Sequence, residues 1–290
     1  MTHRTALIVL PCLLVVLSTP GPCPSAQNDR PHVVFVTGDD EYRSEYSMPM
    51  IARILESRHN LRTSVAYARP TPQTRTNVEG LGALKAADLA VFYLRWRELP
   101  ADQLKLILDY GQSGKPLAGL RTTTHTFLYP KGHPAESWND GFGIDVFGQK
   151  WIRHHGNTSS TDVSIIPEQA THPILRGLEG SFHARSWLYV VDPLHGDSTP
   201  LLMGRARNPA GGKDHGPQPV AWTKTYKGAR VFFTTLGHPE DFHSLSMRRL
   251  LINGIYWALG KTIPPQGTNA DFVGEYDPPP AGVPRQNPAP

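Results

Sequence analysis

The sequence predicts an α/β domain in which helices cover both faces of a mainly parallel sheet. Short apolar runs rich in β-branched residues recur along the chain, and such runs are typical of strands buried on both faces. Amphipathic helical segments alternate with them, which implies right-handed crossovers between parallel strands. Polar residues follow several of the runs, as at the carboxyl edge of an open α/β sheet. The 290 residues, 39% of them hydrophobic, suffice for a substantial core.

The first half of the chain carries the clearest alternation. The run HVVFVT at residues 32–37 predicts the first strand, and a dense polar loop separates it from a helix that buries Ile51, Ile54 and Leu55. The predicted elements of this half are strands at 32–37, 61–68, 88–94 and 116–120 and helices at 48–58 and 100–113.

The second half is predicted to be richer in strands. Residues 220–225 and 230–236 predict a hairpin, because Lys227 and Gly228 punctuate two β-branched and aromatic runs. Leucines at helical spacing predict a helix over residues 244–259. Further strands are predicted at 151–155, 161–166, 186–191 and 200–203, and aperiodic loops at 69–80 and 129–148.

The two ends of the chain are predicted to lie outside the folded domain, which spans residues 31–262. Residues 1–26 have the pattern of a secretory signal peptide, since basic residues precede a short apolar run and a small, Pro-rich segment. We therefore expect export to the periplasm or the exterior, with a lipid anchor on Cys23 as the alternative. Residues 263–290 are Pro-rich and aperiodic and predict a flexible tail.

Composition excludes several classes of function. Both cysteines, Cys12 and Cys23, fall in the predicted signal peptide, so the mature chain has no thiol nucleophile, disulfide or thiolate metal site. The net charge of +4 is too small and too dispersed to predict nucleic-acid binding. No apolar run of the mature chain is long enough to predict a membrane span.

Polar residues after the first and fourth strands are the first site candidates. Asp39, Asp40 and Glu41 could bind substrate, or could simply favour the N-terminus of the next helix. After the fourth strand the chain makes a sharp elbow with Arg121 at its tip and His125 four residues on. A guanidinium can hold an anion or a hydroxyl but is not a nucleophile.

Histidines supply the other candidates. His154 and His155 are adjacent on a predicted strand beside Trp151, and because side chains alternate, only one of the pair is expected to reach the site. A second group follows the hairpin, where His238 and Glu240 flank a proline that ends the strand.

Several segments together resemble the ThuA-like (trehalose-utilisation) family, a branch of the class I glutamine amidotransferase-like superfamily. They are VVFVTGDDEYRSE, PLAGLRTTTHTF, WIRHHGN, THPILRGL, PVAWTKTYKGARVFFTTLGHPEDF and RRLLINGIYWALGK, spread over residues 31–261. The resemblance implies a flavodoxin-like three-layer sandwich with a mainly parallel sheet. It also implies a small-molecule carbohydrate as the binding partner.

The resemblance also tests amidotransferase chemistry. In that superfamily an elbow cysteine is paired with His-Pro-Glu after a late strand, and His238-Pro239-Glu240 stands in the corresponding place here. Arg121 stands where the cysteine would be, so glutamine hydrolysis through a thioester is excluded.

The first functional hypothesis is an exported isomerase, lyase or hydrolase that acts on a carbohydrate or keto-sugar by acid/base chemistry. Imidazoles titrate near neutral pH and suit that role, while Glu240 would orient His238 and Arg121 would stabilise an enolate. The predicted catalytic residues are His125, His238, Glu240 and Arg121, and the predicted substrate-binding residues are Asp39, Asp40, Glu41, His154, His155 and Trp151.

Two alternatives stay open from the sequence. A zinc ion could be bound among His125, His155 and His238, although no local zinc-binding spacing supports it. The protein could also be a non-catalytic sugar-binding or interaction module. In that case Trp96, Trp138, Trp151 or Trp187 could stack on sugar rings. The substrate, the reaction and the oligomeric state are not predicted.

Overall fold

The computed structural model describes residues 1–2, 30–156, 159–207 and 214–282. The predicted signal peptide beyond residue 2 and the last eight residues of the predicted tail lie outside the described residues. The strands are β1 His32–Gly38, β2 Arg62–Ala68, β3 Val78–Glu79, β4 Leu89–Leu94, β5 Leu117–Leu120, β6 Arg153–His154, β7 Ser160–Ile165, β8 Ser181–Ala184, β9 Tyr189–Val190, β10 Thr199–Arg207, β11 Gln218–Tyr226 and β12 Ala229–Thr234. The α-helices are α1 Ser44–His59, α2 Ala101–Gln112, α3 Trp138–Gly141 and α4 Leu245–Ala258.

One large sheet organises the described residues, with strand order β3-β2-β1-β4-β5-β12-β11-β10-β7-β8. The five strands β2, β1, β4, β5 and β12 are parallel to one another. Numbered among themselves they run 2-1-3-4-5, which is the flavodoxin-like order. The predicted fold class is confirmed, and in such sheets ligands bind at the carboxyl edge where the order reverses, here between β1 and β4.

Helices cover both faces of the parallel strands, because each strand sends alternate residues to opposite sides. In β1, Val33 and Phe35 join the core beneath α1 and α4. Val34 and Val36 join the second core beneath α2. The three layers explain why the strands are apolar without alternation.

The predicted hairpin is confirmed as β11 and β12, which pair antiparallel across a two-residue turn. Lys227 and Gly228 both have positive φ, 50° and 80°, as a tight hairpin turn requires. Beyond β11 the sheet continues antiparallel through β10, β7 and β8. β12 thus joins the parallel half of the sheet to the antiparallel half.

The predicted loop at residues 129–148 is wrong in part, because α3 and the π-helical turn Phe142–Val146 lie inside it. The Phe142 ring packs 5.7 Å from Phe92, and the Phe147 ring packs 5.3 Å from Phe233. Long-range aromatic contacts hold this segment, so no local periodicity signals it. The strands β3 and β8 were also not predicted, and the predicted strand at 186–191 contains only β9.

Residues 263–282 contain no helix or strand, yet they lie against α1 and α4, and we call them the C-terminal strap. Thr268 and Ala270 are buried there. Over residues 263–282 this differs from the flexible tail predicted for residues 263–290, because arginine side chains of α1 and α4 bind the strap, which therefore needs no core of its own. Among the described residues, no helix combines the length and the apolar character needed to cross a bilayer.

Candidate functional site

Arg121 lies at the centre of the carboxyl edge of the parallel strands. It follows β5 directly, and its φ of 43° marks the sharp elbow that the sequence predicts. The side chain is fully buried. Its guanidinium donates hydrogen bonds to the carbonyl of Thr235 at 3.0 Å and to the hydroxyl of Tyr42 at 3.0 Å.

Two tyrosine rings enclose the Arg121 guanidinium. Its central carbon lies 4.0 Å from the ring centroid of Tyr42 and 4.6 Å from that of Tyr189. Cation–π contacts of this kind are strongest when desolvated. Arg121 therefore places a positive charge behind two tyrosines rather than directly at the surface of the site.

The three acids after β1 make two sets of contacts. Asp39 is buried, and its carboxylate accepts hydrogen bonds from the backbone N–H groups of Glu41, Tyr42 and Ser44, which fixes the turn into α1.

Asp40 and Glu41 instead bind Arg95, at 2.7 Å and 3.2 Å. Arg95 in turn stacks 3.6 Å above the ring of Trp96. The contacts of all three acids are thus internal to the protein, which favours the structural interpretation of this loop over direct substrate binding.

His238 begins the 3-10 turn Pro239–His243, and the carboxylate that organises this turn is that of Asp241. Its oxygens accept hydrogen bonds from the backbone N–H groups of Gly237 and His238 and from the Ser186 hydroxyl at 2.5 Å. The Glu240 side chain is exposed, and only its backbone N–H reaches Nδ1 of His238, at 3.2 Å. The acid that fixes the backbone at His238 is therefore Asp241, whereas the sequence assigned Glu240 to orient the His238 ring.

His238 itself is buried and neutral near pH 7. Burial lowers its pKa to about 4, the Asp241 charge opposes this, and Arg121 and Arg185 lower it further. Because Nδ1 accepts the hydrogen bond from Glu240, the neutral ring carries its proton on Nε2. The ring lies edge-on to Tyr42, with 6.1 Å between centroids.

His125 ends the elbow and is partly buried among aromatic rings. Its ring centroid lies 5.7 Å from that of Trp96, 5.4 Å from that of Trp151 and 6.2 Å from that of Tyr189. Burial, reinforced by the charges of Arg95 and Arg121, holds the pKa of His125 well below its ordinary value. A neutral imidazole can accept a proton.

His154 ends β6 and His155 follows it directly, and their side chains have different neighbours, as the alternation predicts. His154 joins His125, with its ring 5.8 Å from Trp151 and 6.5 Å from Tyr189. His155 is fully buried, and its Nε2 accepts a hydrogen bond from the backbone N–H of His215 at 2.9 Å. His154 is therefore the member of the pair that the site contains.

Aromatic rings connect the two halves of the site. Trp187 lies 5.4 Å from His154 and 6.1 Å from Tyr42, and Tyr42 in turn contacts His238. The partly exposed members of this aromatic cluster are Trp96, His125, Trp151, His154 and Trp187. The structure thus brings His125 and His154 together and places His238 beyond Tyr42.

Sequence reasoning missed the two tyrosines of the aromatic cluster, Tyr42 and Tyr189, although it named Trp187 among the tryptophans that could stack on a sugar. The indole nitrogen of Trp187 and Nε of Arg121 are buried and have no hydrogen-bond partner among the described residues. Buried donors almost always have a hydrogen-bond partner, so these two are exceptions. Tyr42 stands in the polar loop after β1, and that position is the only sequence signal that could have singled it out.

The three histidines of the zinc hypothesis have different neighbours in the described part of the chain. His155 faces away from His125, and His238 lies beyond Tyr42. Over residues 30–156, 159–207 and 214–282, no three His, Cys, Asp or Glu side chains are grouped so that they could hold a metal ion.

Comparison with known families identifies the domain. A family model described as ThuA, trehalose utilisation, matches residues 32–258. The chain belongs to the ThuA family. Membership points to a carbohydrate-related role and confirms the resemblance seen in the sequence motifs. The strap lies beyond the region that the ThuA model matches.

Solved ThuA-like structures share the fold. One, from Parabacteroides merdae ATCC 43184, is 18% identical with a TM-score of 0.57, over 80% of this chain and 91% of that chain. Another, from Bacteroides uniformis ATCC 8492, is 16% identical with a TM-score of 0.57, over 84% of this chain and 97% of that chain. Among curated proteins, none matches this chain.

Glu45, in the first turn of α1, is a further titratable group that sequence reasoning missed. Burial raises its pKa from 4.5 to about 7, and the Asp39 charge adds to the effect. Because the folded state binds this proton more tightly than the unfolded state, stability falls as pH rises from 4.5 through 7. We expect Glu45→Gln to be more stable than wild type at pH 8 by about 1–3 kcal/mol, with a much smaller difference at pH 5.

Urea unfolding at the two pH values measures this difference, and Glu79→Gln, at an exposed carboxylate, is the matched control. An equal effect of Glu45→Gln at pH 5 and pH 8 would show that the Glu45 carboxyl group is not titrating over this range.

Proposed function

We propose that this member of the ThuA family is an exported protein that binds a carbohydrate or keto-sugar at the aromatic cluster and processes it by acid/base chemistry. The observation that carries the proposal is the pair His125 and His154, which contact the same two rings, Trp151 and Tyr189. Partly exposed aromatic faces suit the apolar C–H face of a sugar ring, and imidazoles suit proton transfer.

Proton removal beside a ketone is the step that these groups fit. A base takes the proton from the carbon next to the carbonyl, and its electron pair forms an enolate. The enolate then expels an oxygen from the following carbon, and that oxygen takes a proton from an acid. In a 3-keto-glycoside the departing atom is the glycosidic oxygen, so this elimination is a lyase reaction that leaves an unsaturated ketone. Addition of water across its new double bond completes a net hydrolysis, whereas return of the proton to carbon without expulsion gives an isomerase.

The residues divide between these roles by their environments. We assign the base to His125, because its lowered pKa leaves the ring unprotonated at neutral pH. We assign the acid to His154, which lies across Trp151 and Tyr189 from His125. The charge of Arg121 supports an enolate through the Tyr42 hydroxyl, to which it donates, in surroundings of low dielectric constant.

A sugar-binding module without catalysis is the second candidate. Two observations favour this module. Arg121 is fully enclosed, and Asp40 and Glu41 bind Arg95, so few of these charged groups are directed outward. In that case the aromatic cluster would bind a sugar and the histidines would serve as hydrogen-bonding groups only.

Incubation with 3-keto-glycosides and with the parent disaccharides separates the two candidates. We expect the mature protein to consume the keto-sugar, with products detected by chromatography and NMR, and to leave the parent disaccharide intact, because only the ketone acidifies the neighbouring C–H bond. Saturable binding without products would establish the module instead. Neither binding nor turnover with either sugar class would contradict both candidates.

A further inference from the structure

The C-terminal strap is bound through its backbone by side chains of two helices. From α1, Arg53 donates to the carbonyls of Val273 and Glu275, and Arg58 donates to those of Asp271 and Phe272.

From α4, Arg248 donates to the carbonyl of Ala270 and Arg249 to that of Thr268. Bonds from a guanidinium to main-chain carbonyls specify the path of the strap whatever its side chains are. The path leads along α1 toward its N-terminus.

The strap contacts two segments next to the aromatic cluster, the turn that His238 begins and the loop after β1. The Tyr276 hydroxyl donates to the carbonyl of Pro239, directly after His238, at 2.9 Å. The backbone N–H of Gly282 donates to the carbonyl of Glu41 at 2.8 Å. Arg43 secures this second contact by donating to the carbonyls of Pro280 and Gly282.

Tyr276 is itself fixed by aromatic neighbours. Its ring stacks on Phe272 at 5.9 Å, and it lies 6.3 Å from Phe242 and 5.2 Å from His243, both in the turn that His238 begins. Tyr276 therefore contacts the turn in two ways. Its hydroxyl bonds the first residue of the turn, and its ring packs against the last two. A rigid anchor of this kind restricts the turn as a whole.

We propose that the strap holds two segments of the site in position. Tyr276 positions the turn that His238 begins, and the contact between Arg43 and Gly282 positions the loop after β1. Tyr276 and Arg43 are positioning residues, because they act through His238 and Tyr42 and do not face the aromatic cluster. The inference goes beyond the proposed reaction and does not depend on which sugar is bound. It also assigns a role to residues outside the region that defines the family.

Hydrogen exchange of the full mature chain tests the proposal without a substrate. In Tyr276→Phe the ring packing is kept and one hydrogen bond is lost, so we expect amides of residues 237–243 to exchange about fivefold faster. In Arg43→Met we expect the increase at residues 39–44 and not at 237–243. Each variant thus controls for the other, and Tyr67→Phe on β2 controls for loss of a hydroxyl elsewhere.

The ring-proton resonances of His238 are a second readout, because they respond to a change in the position of its ring against Tyr42, 6.1 Å away. We expect them to shift in Tyr276→Phe and to remain in place in Tyr67→Phe. Faster exchange confined to the strap, with residues 237–243 and the His238 resonances unchanged, would overturn the proposal and leave the strap as a cover only. Neither outcome depends on turnover, so failure of the proposed reaction remains distinguishable.

Discussion

Replacement of Asp241 by alanine is expected to lower the free energy of unfolding by about 3–5 kcal/mol, the largest effect on stability at this edge of the sheet. The carboxylate accepts bonds from the backbone N–H groups of Gly237, His238, Arg185 and Ser186 and from the Ser186 hydroxyl. Its removal leaves several buried donors unsatisfied at once, and each such donor costs about 1–3 kcal/mol.

Chemical denaturation of Asp241→Ala beside Glu240→Ala measures the contrast between adjacent acids. The Glu240 side chain is exposed, so its replacement is expected to change stability by less than about 0.5 kcal/mol. Asp241→Asn retains one acceptor oxygen and is expected to fall between the two. A larger loss in Glu240→Ala than in Asp241→Ala would restore the orienting role that the family resemblance implied for Glu240.

Replacement of His125 by alanine is expected to lower kcat/KM for a 3-keto-glycoside by about 10²–10⁴-fold, since that is the usual contribution of a general base. His154→Ala is expected to fall in the same range, because an oxygen that leaves without a proton is a poor leaving group. The measurement is the initial rate of keto-sugar consumption at several substrate concentrations, near pH 7.

Two histidines outside the aromatic cluster are the controls for this prediction. His195 is exposed, and His195→Ala is expected to retain full activity. His155→Asn tests the buried neighbour of His154, and any loss there is expected to follow stability rather than kcat. Equal activity of His125→Ala and His195→Ala would remove His125 from the reaction.

The centre of the sheet could be predicted because its information is local. Each parallel strand is a short apolar run that can be read from neighbouring residues. The hairpin is predictable because Lys227 and Gly228, which adopt positive φ, stand between its two strands. The segment around Phe142 and Phe147 could not, because its order comes from rings on distant strands. The strap could not be predicted either, because its partners are distant in sequence. They are arginines of α1, more than 200 residues earlier, and residues of α4.

The positions of the candidate site residues in the fold follow from the sequence, but their contacts do not. Arg121, His125 and His238 were placed at the carboxyl edge because each follows a strand of the parallel set. Alternation of side chains predicts that His154 and His155 point in opposite directions. Which of them faces the site depends on the pairing of His154 with Tyr189, which the sequence does not show. Likewise, the conformation of the 3-10 turn determines whether the Glu240 or the Asp241 carboxylate points inward, and no sequence pattern predicts this orientation.

The central claim is that a sugar binds at the aromatic cluster, and NMR of the histidine and tryptophan rings during titration with a 3-keto-disaccharide tests it most directly. We expect saturable shifts of the ring resonances of His125, His154 and Trp151, while those of His155 and His195 stay in place. Saturable shifts confined to His155, His195 or other distant rings, or the absence of any saturable shift, would contradict the account.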